Sequence, residues 1–444
     1  MTSMEGFMEF DGAGEIKADF DVQRAIFEVG AARNPLEALE AFKRNISTIG
    51  DWRIVYAAEE SEGPFKLRRH QFSSKGFVST IFRGQSLWIL DREAVSSPGY
   101  IEFCVGSATF VDSNAASFVE SLAYQSKPSA VALEFCKVMS DYFSMDELSR
   151  INPYLYLWEA QRDKSAKQVS AVRRTIAALH AISLIQRPLD ITWGETFRTH
   201  YRDEAEAYAD NFLSGFYRQM DHAGDKIERE VDVMEAMLVR TMIIEYSSNK
   251  SGRHKLEALV QFMHDELSTI MGRELIVCAD ILCRSGESKI SEKMNALFDR
   301  KDPFAVIRNC ARDLNLLRTM DRLSNTHSDA SLGAFYIANL ITFDRDLADI
   351  LRLAELRAIA LHRSSSKAFP IYNELFFPWL SSRVGEKRMA GLEDLFSMDG
   401  FKIRAMKRSR GHIEAVLKDD REKLAALLVS KRATRANRAR FSEP

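Results

Sequence analysis

SATFVDSNAASFVESLAY (107–124) and, far downstream, FYIANLITFDRDLADILRLA (335–354) decide how this chain is read. Each opens on a short run of β-branched and aromatic residues, reaches an aspartate, and then changes to apolar spacings of three and four. In the first, Asp112 ends the run, and Ser113 and Asn114 are residue types that cap helices. In the second, ANLITFD predicts a buried strand and DLADILRLAELRA the helix that follows. Both are strand–turn–helix units, the building block of an α/β layer. LRAIALHRSS (356–365) predicts one further strand. Strands this far apart in sequence can be neighbours in one sheet, with the intervening helices on its faces.

Outward from these units the pattern changes. DWRIVYAAEE (51–60) and GFVSTIFRGQSLWILDREAV (76–95) predict strands and turns, and ARNPLEALEAFKRNIS (32–47) predicts a helix with Pro35 in its first turn. RRTIAALHAISLI, EAEAYADNFLSGFYRQM, EREVDVMEAMLVRTMIIEY and HKLEALVQFMHDELSTIM are amphipathic helices. The expected organisation is an N-terminal α+β region (1–105), a core in two parts (106–164 and 301–370), a helical insertion (165–300), and a C-terminal helical region with a basic tail (371–444). The fold class is α/β, or α+β over the whole chain.

Composition sets the broad class. The 444 residues are 46% hydrophobic and 28% charged, enough for a sizeable core and a solvated surface. A net charge of -2 selects no partner, although RATRANRARFSEP (432–444) and FKIRAMKRSRGH (401–412) are basic and of a kind that attracts phosphate backbones. The five cysteines, Cys104, Cys136, Cys278, Cys283 and Cys310, form no CxxC pair, which predicts a reducing, cytoplasmic setting without disulfides or zinc. The first twenty residues carry early acids and no apolar h-region, so no secretory signal is expected there. No apolar run is long enough to span a bilayer, and no membrane partner is expected.

Carboxylates carry the functional reading. Asp112 and Asp344 end strands, Asp346 lies two residues beyond Asp344, Glu159 closes the aromatic run of NPYLYLWEAQRD, and Asp313 sits on the helix NCARDLNLLRTM. Acids at strand ends of one sheet edge make a pocket where α/β proteins place ligands. Clustered carboxylates resist ionising together unless a cation neutralises them, and an oxygen-only donor set suits Mg²⁺ or Mn²⁺. The bland alternatives are ordinary: a turn aspartate, a helix cap, a solvated Glu159, and an Asp313 paired with Arg312 or Arg318.

FVDSNAASF, NPYLYLWEAQ, ARDLNLLR and LITFDRDL, in that order, resemble the motifs of PIN-like nucleases. The resemblance covers about a third of the chain in scattered pieces. It implies an α/β/α sandwich with a parallel sheet, here with a large helical insertion. It implies a hydrolase that binds Mg²⁺ or Mn²⁺ and cuts nucleic acid, RNA more than DNA. Its acids map onto Asp112, Glu159, Asp313 and Asp344 as catalytic metal ligands, with Asp346 as a further ligand. Thr342 to Leu347 matches the family's T-x-D-x-D-L turn. Glu134 competes with Glu159 for the second position, and Asp329 with Asp313 for the third. A homo-oligomer or a protein partner is compatible with this reading.

Two other classes compete. RLSNTH (322–327) and LRAIALH (356–362) place four residues between Arg and His, resembling the motif of the metal-free HEPN ribonucleases, and RRTIAALH (173–180) is similar with one residue more. There, His327, His362 or His180 would move protons and Arg would hold phosphate. The other class is a helical scaffold in which the acids are caps and surface charges. The chain has no Walker loop, GxGxxG, HExxH or GxSxG motif.

Overall fold

A computed structural model describes residues 13–67, 70–71, 77–97, 104–161, 163, 165–325, 335–365, 367–373, 375–408 and 410–441. Its strands, in chain order, are β1 (Trp52–Ala58), β2 (Phe65–Lys66), β3 (His70–Gln71), β4 (Phe77–Thr80), β5 (Ser86–Leu90), β6 (Val105–Val111), β7 (Phe335–Thr342), β8 (Leu356–His362) and β9 (Ala368–Tyr372). They form two sheets. One runs β2-β5-β1-β8-β9 and is antiparallel throughout; the other runs β3-β4-β7-β6. The remainder is dominantly helical.

β6 and β7 are parallel neighbours, in register from Val105 opposite Phe335 to Val111 opposite Ile341. The two strand–turn–helix units quoted first therefore lie side by side. Their sheet is mixed, not parallel throughout, because the β3–β4 pair from the N-terminal region docks antiparallel on the free edge of β7. The strand predicted from 356–365 forms, but in the other sheet and antiparallel to β1. Residues 1–105 thus supply strands to both sheets. Ile81 and Arg83 clasp Leu356 through backbone hydrogen bonds of 2.8 and 2.9 Å, which joins the two sheets.

Side-chain alternation divides three cores. Ile54 and Tyr56 of β1, with Ala358 and Ala360 of β8, face the N-terminal helices and pack on Ile26, Val29 and Phe42. Val55, Ala57 and Ile359 face the other way into the central core, with Ala108 and Phe110 of β6 and Ala338 and Leu340 of β7. Val111 and Ile341 point to a third core formed with the helices Ser113–Tyr124, Ala130–Tyr142 and Ala166–Ile185.

The helical stretch read as an insertion is the packing partner of these sheets. Its spine is the helix Arg202–Ser247, 46 residues and about 70 Å long. Its first half, through Leu213 and Phe216, belongs to the third core, and its second half, through Met234 and Met242, to the central core. The C-terminal helix Arg410–Phe441 is tied along it by Arg240 to Asp420 at 2.6 Å and by Arg421 to Glu235. The basic stretch 401–412 is used inward: Arg404 is buried and donates to His264 at 2.9 Å, and Arg408 donates to the Ser268 carbonyl. Arg432 donates to the carbonyls of Phe298 and Arg300. All five cysteines are free, and no described helix is long and apolar enough to cross a membrane.

Arg273, wholly buried, makes two hydrogen bonds of 3.0 Å to the carboxylate of Asp321. Burying this pair is costly, yet leaving one member alone costs more. Asp321→Leu is therefore expected to lower unfolding stability by about 3–5 kcal/mol, and adding Arg273→Met to recover most of it. Denaturant titration of the two variants checks this. A double variant no more stable than the single one contradicts it.

Candidate metal centre

β6 ends at Val111, and Asp112 turns the chain into the helix Ser113–Tyr124. Its carboxylate caps that helix, with Oδ1 accepting from the Ala115 amide at 2.6 Å. Its Oδ2 accepts from the Thr342 hydroxyl and from the Phe343 amide, the latter at 3.0 Å. Thr342 Oγ1 in turn accepts from the Asp344 amide at 2.9 Å. One buried carboxylate thereby ties the ends of both parallel strands. Burial pushes its pKa up, against the three hydrogen bonds that hold it down.

The second unit repeats the device. Asp344 caps the helix Arg345–Leu353, its Oδ1 accepting from the Asp346 amide at 2.8 Å. Two residues apart, Asp344 and Asp346 turn toward the helix Pro303–Leu323, which carries Asp313. One carboxylate oxygen from each of Asp313, Asp344 and Asp346 lies within 4.8 Å of the others. Glu159, on the helix Tyr154–Ala160, accepts from the Ser113 hydroxyl, and its charge bears on Asp313. The carboxyl end of the parallel pair is therefore ringed by acids from four separate segments.

Their electrostatics are unequal. Asp346 is buried and paired with the Lys293 ammonium; burial still pushes its pKa up, against the pull of that ammonium. Among the described residues, no hydrogen bond or ion pair meets the Asp313 carboxylate. Burial, then the negative charges of Asp344, Glu159 and Asp346, push its pKa well above the usual carboxylate range. Three close carboxylates share one nearby ammonium. A divalent cation fits this donor set, being all oxygen with no imidazole among the group.

Each sequence candidate can now be placed. Asp313, Asp344 and Asp346 come together, and Glu159 stands beside them. Asp112 does not join the group, because both its oxygens are committed to backbone and hydroxyl donors; its place is in the frame of the site. Glu134 is exposed on the helix Ala130–Tyr142, and Asp329 lies outside the described residues. Asp313 pairs with neither Arg312 nor Arg318, which turn to Glu228 and Glu274. The sequence does not mark Lys293, and it marks Ser113 only as a helix cap, a place that Asp112 fills. Ser113 follows a strand-ending Asp, a usable signal. Lys293, in KISEKMN, has none.

The Arg–His pairs are dispersed. Arg322 pairs with Glu230, Arg174 with Glu120, and Arg357 donates to the Ala32 carbonyl. His180 stacks on Tyr208, and His362 contacts Trp52 edge-on and Ser365 at 2.9 Å. His327 lies outside the described residues. No protein-family model matches this chain, and no curated protein or solved structure matches it either.

Two expectations follow. Asp112→Ala removes a helix cap and leaves buried donors without an acceptor, so it is expected to lower stability by about 2–4 kcal/mol in chemical denaturation. A loss under about 0.5 kcal/mol, the level of a surface change, contradicts the tie. The second concerns pH. Asp112, Asp313 and Asp346 all bind protons more tightly folded than unfolded. In chelator, their share of stability is therefore greatest below the unfolded carboxylate range and is lost as pH rises through the folded values. Asp313→Asn is expected to flatten that decline and to be more stable than the parent at about pH 8. An Asn variant less stable than the parent at that pH shows that Asp313 is not under charge strain.

Proposed function

We propose that this chain is a PIN-like nuclease that hydrolyses phosphodiester bonds of nucleic acid, RNA in preference to DNA, with Mg²⁺ or Mn²⁺ held by carboxylates. The observation that carries the reading is the convergence of Asp313, Asp344 and Asp346 within 4.8 Å at the carboxyl end of a parallel strand pair, with no ion pair to Asp313 among the described residues. Isolated caps and surface charges do not need to meet. The T-x-D-x-D-L turn from Thr342 supports the PIN-like assignment, because Thr342 and Asp344 occupy the places that hold this turn together. The RNA preference rests on that resemblance. Five free cysteines are in keeping with a cytoplasmic setting.

In this reading Asp313 and Asp344 hold the ion, and Asp346 completes the ring of charge. Glu159, with Ser113 as its donor, stands at the edge of the site and is placed to accept a proton from water or to orient it. Asp112 fixes the separation of the strand ends by its three hydrogen bonds. A divalent ion held there would supply a polarised water and a counter-charge for the leaving oxygen.

The test is incubation of the full chain with RNA, single-stranded DNA and duplex DNA, in Mn²⁺ or in EDTA. Cleavage is expected in Mn²⁺ alone and fastest on RNA. Asp313→Asn and Asp344→Asn are expected to lower the rate by about a hundredfold or more, since an amide keeps the shape but not the charge that holds the ion. Cleavage that persists in EDTA, or at the parent rate in both variants, overturns the proposal.

A further inference from the structure

We propose that Lys293 is a tethered counter-cation of the acid ring: it occupies Asp346 and confines the centre to a single divalent ion, held by Asp313 and Asp344. This deepens the proposed function and rests on the metal reading of that ring. The Lys293 ammonium is paired with Asp346, whose oxygen belongs to the same 4.8 Å group as those of Asp313 and Asp344. One cationic position of the cluster is thus already filled by the chain itself.

The lysine is delivered by a built scaffold. Asp280, buried, accepts from the Ser285 hydroxyl at 2.6 Å, the Glu287 amide at 3.0 Å and the Ser288 hydroxyl. This shapes a tight loop in which Arg284 and Gly286 have positive φ. Ser288 then caps the helix Lys289–Asn295 through the Ser291 amide. The Lys289 amide donates to Asp349 at 2.9 Å, and Arg352 donates to the Glu287 carbonyl, both partners lying on the helix that starts at Asp344. The lysine-bearing helix and the loop before it are therefore docked on the acid-bearing helix at two points besides the ion pair. A chance surface contact needs no such support. The Lys293 side chain is still 43% exposed, so its stem can swing away without opening the core.

Two cations close together repel, so an ammonium at Asp346 must weaken an ion beside it and exclude a second one. Calorimetric titration of Mn²⁺ into the chelator-stripped full chain tests this, with the parent, Lys293→Met, Lys293→Gln and Lys293→Arg. Met keeps the apolar stem and Gln keeps a polar end. The parent and Lys293→Arg are expected to bind one Mn²⁺ with similar affinity. Lys293→Met and Lys293→Gln are expected to bind about tenfold more tightly or to take up a second ion, a modest change because the pair is partly solvated. Parent binding with equal or weaker binding in both neutral variants overturns the role of Lys293 and leaves the metal centre standing. No Mn²⁺ uptake by the parent or by any variant overturns the metal centre and this inference with it.

Discussion

The parallel pairing of β6 with β7 is the constraint on which the rest of the molecule depends. A parallel pair cannot be closed by a hairpin; the chain must leave one end of the sheet and return to the other. Here residues 112–334 make that journey. Nearly all of the helical block lies inside the crossover, and so do Glu159, Lys293 and Asp313. What reads in sequence as an insertion is, in space, the connection that brings three of the charged groups of the ring back to the end of β7, which supplies the others. The Asp112 carboxylate locks that return by bonding to Thr342 and Phe343 across the strand ends.

The acid ring follows from this geometry and works against stability. Asp313 is held among the negative charges of Asp344, Glu159 and Asp346, and Lys293 offsets them in part. Groups held in such an environment cluster at functional sites, because folding alone gives no reason to keep them there. The strain is local. Several buried charges elsewhere are met by an opposite one: Arg273 by Asp321, Lys255 by Glu245, and Arg308 by Asp232 and Glu235. Among the described residues, Asp313 has no such ion pair.

Much of the site was legible where local pattern and chemistry coincide. Asp112 and Asp344 were readable because a β-branched run, an acid and a capping sequence occur together in each, and the strands so marked do pair. The convergence of Asp313 was not visible in its own segment, where one aspartate on an amphipathic helix looks like a surface charge; only the crossover places it. Asp112 reads as a metal ligand, yet its oxygens bond to Ala115, Thr342 and Phe343, and a strand-ending Asp gives the same signal in either case. The mixed character of the sheet was hidden for a related reason. Antiparallel pairing of β4 on β7 is set by contacts between distant segments, and a half-buried strand has the same alternation in either orientation. Lys293 carried no pattern at all, since its position depends on the Asp280 loop and not on neighbours in sequence.

The central claim is that these carboxylates form a divalent-cation centre. Anomalous diffraction from crystals of the full chain soaked in Mn²⁺ tests it most directly. The account predicts one strong anomalous peak about 2 Å from oxygens of both Asp313 and Asp344. Ordered crystals with full Mn²⁺ in the soak and no peak between these two residues would contradict it.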